Sequence, residues 1–287
     1  MAVPPVKARV TVAAYLERVR AELIPVNPQF SYFAGGTSFN DEDVREYITE
    51  PIAALPPSVA TLLPKVILLL VPFLERVNGD RSNGSADKAE KDAVKPNGRN
   101  QEVQIALEQP TDGRWVPYVS LRVAGEVVIA LSVEGQETAD YHYHLYHELA
   151  HLASDKLAPE RVGEYAALVS EELRAGAHGE VDDESWTMKQ AVRRHHGPSG
   201  KASSRKASTA KPSKALANYA RASFIDTLTL YLHGICCDID VEPGPRQLPS
   251  RHLRRRLKLL QTMLPAPKGY AVFPEELDGV APREPHE

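Results

Sequence analysis

The stretch YHYHLYHELAHLA, from Tyr141 to Ala153, contains the pattern His-Glu-x-x-His at His147, Glu148 and His151. Side chains four residues apart on an α-helix lie one above the other on the same face. The two imidazoles can therefore reach one tetrahedral metal ion, and zinc is the ion that this pattern typically binds. Glu148 lies beside them, where a carboxylate can orient a water molecule and take its proton. The motif predicts a zinc site with Glu148 as the general base.

A small β-sheet is predicted just before this helix. Its strands are expected at Val103 to Leu107, Tyr118 to Val123 and Val127 to Val133, where β-branched and aromatic residues are frequent. Ala124-Gly125 separates the last two strands as a predicted hairpin turn. The helix that carries the motif is predicted from Thr138 to about Ser154, and a second helix from Pro159 or Glu160 to about Ala175.

This order of sheet, helix, connection and helix resembles the zincin superfamily of metallopeptidases. In that superfamily an edge strand runs beside the active-site helix and holds the substrate backbone. The metzincin continuation H-x-x-G-x-x-H is absent after His151, where the chain reads LASDKLAPER. The resemblance therefore implies an acidic third ligand from a later helix.

Two adjacent glutamates are the candidates for that third ligand. Glu171 and Glu172 follow His151 by twenty and twenty-one residues, an interval similar to that of the gluzincin group. The pairs Tyr165-Ala166 and Glu171-Glu172 also resemble the pattern of metallopeptidase-like domains that contain HELAH. Glu172 is the first choice and Glu171 stays an alternative. A solvated helix face is the competing interpretation of the pair.

Further candidates lie near the motif and in a later acidic cluster. The resemblance implies a side chain that stabilises the oxyanion of the tetrahedral intermediate, and the candidates are His144, Tyr143, Tyr165 and His233. Histidine and tyrosine at helical spacing are usually packing residues, so none of the four is preferred. Fallback sources of a ligand, or of a hydrogen-bond partner for the histidines, are Glu180, Asp182, Asp183 and Glu184.

The fold predicted from these patterns is α+β, with a small, mostly antiparallel sheet packed on the HExxH helix and additional N- and C-terminal helices. Further helices are predicted at Val10 to Leu23, Asp41 to Glu50, Ser58 to Val77, Lys214 to Gly234 and Ser250 to Leu264. The apolar run Val66 to Leu74 is interpreted as a buried helix or a pair of short helices. The predicted division is 1–78 (helical N-terminal region), 79–100 (flexible linker), 101–190 (zincin-like catalytic core), 191–213 (basic disordered linker) and 214–287 (C-terminal helices and tail).

The composition is that of a globular protein in a reducing compartment. Of the 287 residues, 43% are hydrophobic and 25% charged, and the two cysteines, Cys236 and Cys237, are adjacent and so provide no disulfide framework. The net charge of −4 gives no general attraction to nucleic acid or to anionic lipid. The N-terminus lacks the apolar block of a secretory signal. We therefore expect a cytoplasmic protein with no membrane contact.

The predicted function is that of a zinc metallopeptidase: hydrolysis of a peptide or similar amide, with a peptide or protein as the substrate. The alternative is a catalytically inactive zincin-like module that binds a protein or nucleic acid through its basic segments. Those segments are the stretch Ala191 to Ala215 and the arginine-rich start of the last helix, which could contact phosphates. They lack the interleaved aromatic residues of a single-strand binding groove. Glu148 beside both histidines favours chemistry, because a structural metal site needs no base there.

Overall fold

The structure is a computed structural model that describes residues 10–77, 103–110, 114–196, 213–237 and 247–273. The chain divides into two compact units, one formed by Met1–Ala53 with Leu63–Glu148 and the other by Ala54–Leu62 with Leu149–Glu287. Helices and sheets are both present, consistent with the predicted α+β class. The predicted linker at 79–100 and residues 197–212 of the predicted basic linker lie outside the described residues.

The first unit contains two sheets. Their strands are β1 (Val10–Thr11), β2 (Ile24–Pro25), β3 (Phe30–Ala34), β4 (Val66–Val71), β5 (Phe73–Arg76), β6 (Val103–Ala106), β7 (Trp115–Val116), β8 (Tyr118–Val123) and β9 (Glu126–Ser132). A four-stranded sheet has the order β1-β6-β5-β7, and its pairs are all antiparallel. A five-stranded sheet has the order β2-β3-β4-β9-β8, with parallel pairing of β4 to both β3 and β9 and antiparallel pairing at both edges.

The prediction of a helix over Ser58 to Val77 is wrong. Its apolar run forms the central strand β4, VILLLV, in which all six residues are buried. Neighbouring strands cover both edges of β4, and its two faces are both packed, so the period-two alternation that identifies a half-exposed strand is missing. The predicted helical N-terminal region 1–78 therefore supplies strands to the middle of the five-stranded sheet.

Two prolines mark the places where the chain passes from one sheet to the other. Pro72 lies between β4 and β5, and Pro117 lies between β7 and β8. Proline has no backbone N–H, so it cannot continue a ladder of hydrogen bonds. Both proline carbonyls accept hydrogen bonds from Ser132, from its side chain to Pro72 at 2.9 Å and from its backbone to Pro117 at 2.8 Å. Ser132 thus ties the two switch points together.

Helix α1 (Val12–Val19) covers one face of the five-stranded sheet. Its apolar side chains, including Tyr15 and Leu16, join a core cluster with Ile67 and Leu69 of β4 and Val128 of β9. Within a strand, side chains point alternately to the two faces of the sheet. The odd-numbered residues of β8, Val119, Leu121 and Val123, pack against this cluster. Tyr118, Ser120 and Arg122 therefore point to the opposite face.

The remaining helices agree with the predictions in part. They are a 3₁₀ turn (Arg20–Glu22), α2 (Asp41–Val44), a π-helical segment (Arg45–Thr49), α3 (Glu50–Ala53), α4 (Pro57–Ala60), α5 (Thr138–Ser154), α6 (Pro159–Arg174), α7 (Asp183–His196), α8 (Lys214–Cys236) and α9 (Ser250–Met263). Asn40 caps α2, since its side chain accepts hydrogen bonds from the backbone of Glu42 and Asp43. Helix α7 was not predicted, and it includes residues 191–196 of the predicted disordered linker.

None of the described helices combines the length and the apolar composition needed to cross a bilayer.

The β8–β9 hairpin confirms the predicted turn at Ala124-Gly125. Both turn residues have positive φ, 50° at Ala124 and 87° at Gly125. Two-residue turns of this kind favour Asn-Gly, because an ordinary side chain is strained in the left-handed region. Alanine at the first position is therefore a local weakness of the hairpin.

We expect Ala124→Asn to stabilise the protein by about 0.5 kcal/mol, since asparagine tolerates positive φ better than alanine. Gly125→Ala should destabilise it by about 1 kcal/mol through conformational strain alone, because no atom lies within 4 Å of the position a Cβ would occupy. Urea denaturation of both variants measures the two effects. Equal stability of all three proteins would contradict the assigned turn.

A carboxyl group is buried in the second unit. Asp226 of α8 is 2% exposed and its Oδ2 has no hydrogen-bond partner among the described residues. Burial, aided by the charges of Asp182 and Glu184, raises the pKa of Asp226 to about 8, although hydrogen bonds to Ser185 oppose the shift. The folded protein therefore holds a proton near neutral pH that the unfolded chain has released.

Because the folded-state pKa lies above the unfolded one, Asp226 weakens the fold as pH rises from about 4 to about 8, and the effect levels off above that. Asp226→Asn removes this ionisation. We expect the difference in free energy of unfolding, variant minus wild type, to increase by roughly 1 kcal/mol per pH unit within this window. Urea denaturation at pH 5, 7 and 9 tests this, and a constant difference across the three would refute it.

Candidate functional site

The His-Glu-x-x-His motif lies within one uninterrupted helix, as predicted. Helix α5 runs from Thr138 to Ser154, and the motif occupies its second half. His147, Glu148 and His151 are half-buried, whereas the next residues, Leu149 and Ala150, are fully buried. The helical register therefore places the three motif residues toward a partly open side of α5.

A tyrosine from the edge strand contacts the first histidine of the motif. The Tyr118 hydroxyl lies 3.2 Å from His147 Nδ1, and the Tyr118 ring lies 5.2 Å from the ring of His144. Tyr118 is the first residue of β8, whose outer side pairs with no other strand in the described part of the chain. An edge strand thus reaches the motif through its first side chain.

Neighbouring aromatic residues surround His147 on the helix. The Tyr143 ring stacks on the His147 ring with centroids 6.1 Å apart and an interplanar angle of 16°. The pKa of His144 is lowered to about 4, mainly by burial, which outweighs the opposing charge of Asp140 and is aided by His147. His144 is therefore neutral at neutral pH. His142, which lies nearer the start of the helix, is hydrogen-bonded through Nε2 to the Glu46 carbonyl at 3.0 Å.

The second histidine of the motif is also held in its neutral form. Burial lowers the pKa of His151, and the positive charge of Arg221 adds to this while Asp155 opposes it. A metal ion binds only the neutral imidazole. Because His151 is already neutral at neutral pH, a metal ion would not have to displace a proton from it. The electrostatics of His151 thus suit a ligand.

Glu172, the first choice for the third ligand, lies in a buried ion network of the second unit. It is 1% exposed, and its Oε2 accepts hydrogen bonds from Arg256 at 2.6 and 2.9 Å. Its Oε1 lies 3.4 Å from His252 Nδ1. Arg256 is fully buried and donates also to Glu180, at 2.7 and 3.1 Å, and to Ser223 at 2.7 Å.

The fallback candidate Glu180 belongs to the same network. Lys189 donates to it at 2.9 Å, and the Tyr219 hydroxyl also bonds to it. Burial alone would raise the pKa of Glu180, but the hydrogen bonds and charge of Arg256 hold it below its usual value. Two cations, Arg256 and Lys189, thus balance two carboxylates, those of Glu172 and Glu180. A buried network with balanced charge is a structural element that connects α6, α7, α8 and α9.

Glu171, the alternative third ligand, is on the outer side of α6. Its side chain is 52% exposed and forms a two-pronged ion pair with Arg255, at 2.9 and 2.7 Å. Within the second unit, the ligand atoms of His151, Glu171 and Glu172 do not gather within 4.8 Å of one another. Each of the two acids predicted to complete the site is therefore paired with an arginine, Glu171 through both carboxylate oxygens and Glu172 through Oε2.

One candidate for the oxyanion-stabilising residue is wrong. The Tyr165 hydroxyl is buried and bonded to Ser223 and to Thr227, at 2.7 Å from the Thr227 hydroxyl. Its role is to join α6 to α8, so it has no hydrogen bond to offer a substrate. His233 is buried in α8. Tyr143 and His144 stay predictions, since both lie around His147 on α5.

Sequence analysis missed Tyr118 and Arg256. Tyr118 carries no local signal, because only the pairing of β8 with β9 brings its side chain to α5. Arg256 did carry a local signal, because it lies three residues after Leu253 and four before Leu260, within the apolar stripe of α9. Glu172 similarly follows Leu168 and Val169 on the apolar side of α6. Opposite charges on the apolar faces of two helices indicate a buried ion pair.

Glu172→Gln leaves the buried Arg256 with one of its two carboxylate partners, so that Arg256 and Lys189 are no longer balanced in charge, and we expect it to destabilise the metal-free protein by about 3 kcal/mol. Glu171→Gln is the matched control: it removes the same charge one residue away from an exposed ion pair, and we expect no measurable loss. Denaturation in urea with a chelator present compares them. Equal losses would show that the buried network does not stabilise the fold as described.

Comparison of the chain with known protein families, with characterised proteins and with solved structures returns no match.

Proposed function

We propose that the protein is a zinc-dependent metallohydrolase that cleaves a peptide or a similar amide. The observation that carries the proposal is the uninterrupted helix α5 with His147, Glu148 and His151 on one partly open side, next to Tyr118 of an edge strand. Spacing, exposure and the neighbouring strand each agree with a hydrolytic site.

The imidazole pair fits a zinc ion. A turn of helix separates His147 from His151, which suits two ligands of one tetrahedral centre. Neutral imidazole is the binding form, and burial favours it at His151. When bound, zinc would supply a Lewis acid that lowers the pKa of water to about 7.

Glu148 would then act as the general base. It neighbours His147 on the same helix and is half-buried, so water can approach while the carboxylate stays partly desolvated. Such a group takes a proton from the attacking water and returns it to the leaving amine. An extended substrate backbone would add to the outer edge of β8, along Val119–Val123, where peptide hydrogen bonds hold it without selecting its side chains.

The acidic third ligand of the proposed site would come from Glu172 or Glu171. Arg255 binds both carboxylate oxygens of Glu171, whereas Arg256 binds only Oε2 of Glu172, whose Oε1 lies 3.4 Å from His252 Nδ1. Glu171 would therefore have to leave its arginine to bind zinc, and ligation through Oε2 of Glu172 would leave a buried cation without its full set of partners.

This same observation favours a second candidate function, a catalytically inactive module that binds a protein or nucleic acid. Without a third protein ligand, zinc would be held weakly. The basic residues Arg251, Arg254 and Lys258 lie on the exposed side of α9, where they can meet phosphates. The affinity of such a module for its partner would depend on salt concentration and would not require Glu148.

The variant Glu148→Gln separates the two functions. For the hydrolase, we expect it to keep stoichiometric zinc while turnover of a peptide library falls about 100-fold or more, and His151→Ala should lose the zinc itself. Glu160→Gln, an exposed acid at the start of α6, is the matched control and should change neither property. Zinc content is measured by elemental analysis after dialysis at neutral pH.

A wild-type protein without stoichiometric zinc would overturn the proposal. So would undiminished hydrolysis by Glu148→Gln. If instead that variant kept both its metal and a salt-sensitive affinity for nucleic acid, the binding module would be the better description.

A further inference from the structure

We propose that Tyr118 is a positioning residue that fixes the orientation and the tautomer of His147. The inference rests on the proposed function and adds a residue to its site. Its geometric basis is the 3.2 Å separation of the Tyr118 hydroxyl from His147 Nδ1.

The sheet sets the backbone position from which the phenol of Tyr118 reaches His147. Tyr118 pairs with Leu131 of β9, and the preceding Pro117 carbonyl accepts the backbone N–H of Ser132 at 2.8 Å. The contact of its ring with the His144 ring, with centroids 5.2 Å apart, restrains the side chain. Tyr118 therefore presents a fixed hydrogen-bonding group to a histidine on a separate helix.

The proposed role of this hydrogen bond is to select the imidazole nitrogen that is available to a metal ion. A neutral imidazole carries one N–H, and the other nitrogen has the lone pair that binds metal. In the proposed tautomer Nδ1–H donates to the Tyr118 oxygen and the lone pair is on Nε2, whereas a phenol that donated to Nδ1 would place the N–H on Nε2. Stacking of the Tyr143 ring at 6.1 Å restrains the ring plane as well. In this tautomer His147 would present Nε2 to a zinc ion in a restrained orientation, which would reduce the entropy lost on binding.

Tyr118→Phe removes only the hydroxyl and keeps the ring between β8 and His144. We expect its zinc affinity, measured by competition with a chromophoric chelator, to fall between about 10-fold and 100-fold, as for other partners of metal-bound histidines. The visible spectrum of the cobalt-substituted protein should change with it, because the ligand field depends on the orientation of the imidazole. Thermal unfolding of the metal-free variant shows that the fold is kept.

Tyr141→Phe is the matched control. It also removes one phenol hydrogen bond in the first unit, the 2.9 Å bond to the Tyr47 carbonyl, but from the opposite end of α5. Its zinc affinity and cobalt spectrum should equal those of the wild type. Equal weakening by both variants would mean a general loss of stability and would overturn the positioning role.

The outcomes distinguish this inference from the proposed function. If the wild type binds zinc and Tyr118→Phe binds it equally well, the positioning role fails and the hydrolase proposal stands. If the wild type holds no zinc, both fail. A proton–nitrogen NMR spectrum of the zinc-loaded wild type tests the tautomer directly: a protonated Nδ1 on His147 is expected, and zinc on Nδ1 would overturn the inference.

Discussion

Backbone pairing of the central strand β4 is the constraint on which the first unit depends. Its six apolar residues have neighbours on both edges, so burying them leaves no backbone group without a partner. Parallel pairing with β9 sets the register of that strand, and the hairpin then sets the register of β8. The first side chain of β8, Tyr118, meets His147 as a consequence. A slip of one residue would turn Tyr118 to the other face.

The second unit has a buried network of ion pairs in its interior, where most proteins have only apolar side chains. Arg256 and Lys189 are fully buried, and their donors bond to the carboxylates of Glu172 and Glu180, the Gly179 carbonyl and the Ser223 hydroxyl. Such a network gives little net stability compared with an apolar core, but it tolerates no missing partner and so restricts how its helices can pack. That restriction explains why an acid at the interval expected for a metal ligand is engaged in holding helices together.

Patterns confined to one element were predicted well, and those that depend on several elements were not. The helix around the motif, helix α6 and the Ala124-Gly125 hairpin follow from spacing, capping and turn chemistry. Strand β4 was mistaken for a helix because a continuous apolar run shows neither the two-residue period of a half-exposed strand nor the 3.6-residue period of a helix. The role of Glu172 could not be predicted for a related reason. Its position on α6 does not show that Arg256 of α9 packs against it.

By itself, the sequence determined that two imidazoles and a carboxylate share one side of one helix, since the 3.6-residue repeat needs no tertiary contact to place them. It also determined the turn that joins β8 to β9. Only the tertiary structure decided what surrounds those groups: Tyr118 beside His147, Arg256 on Glu172 and Arg255 on Glu171. These contacts join residues that are tens of positions apart, and long-range partners follow from sheet register and helix packing, which no local pattern encodes.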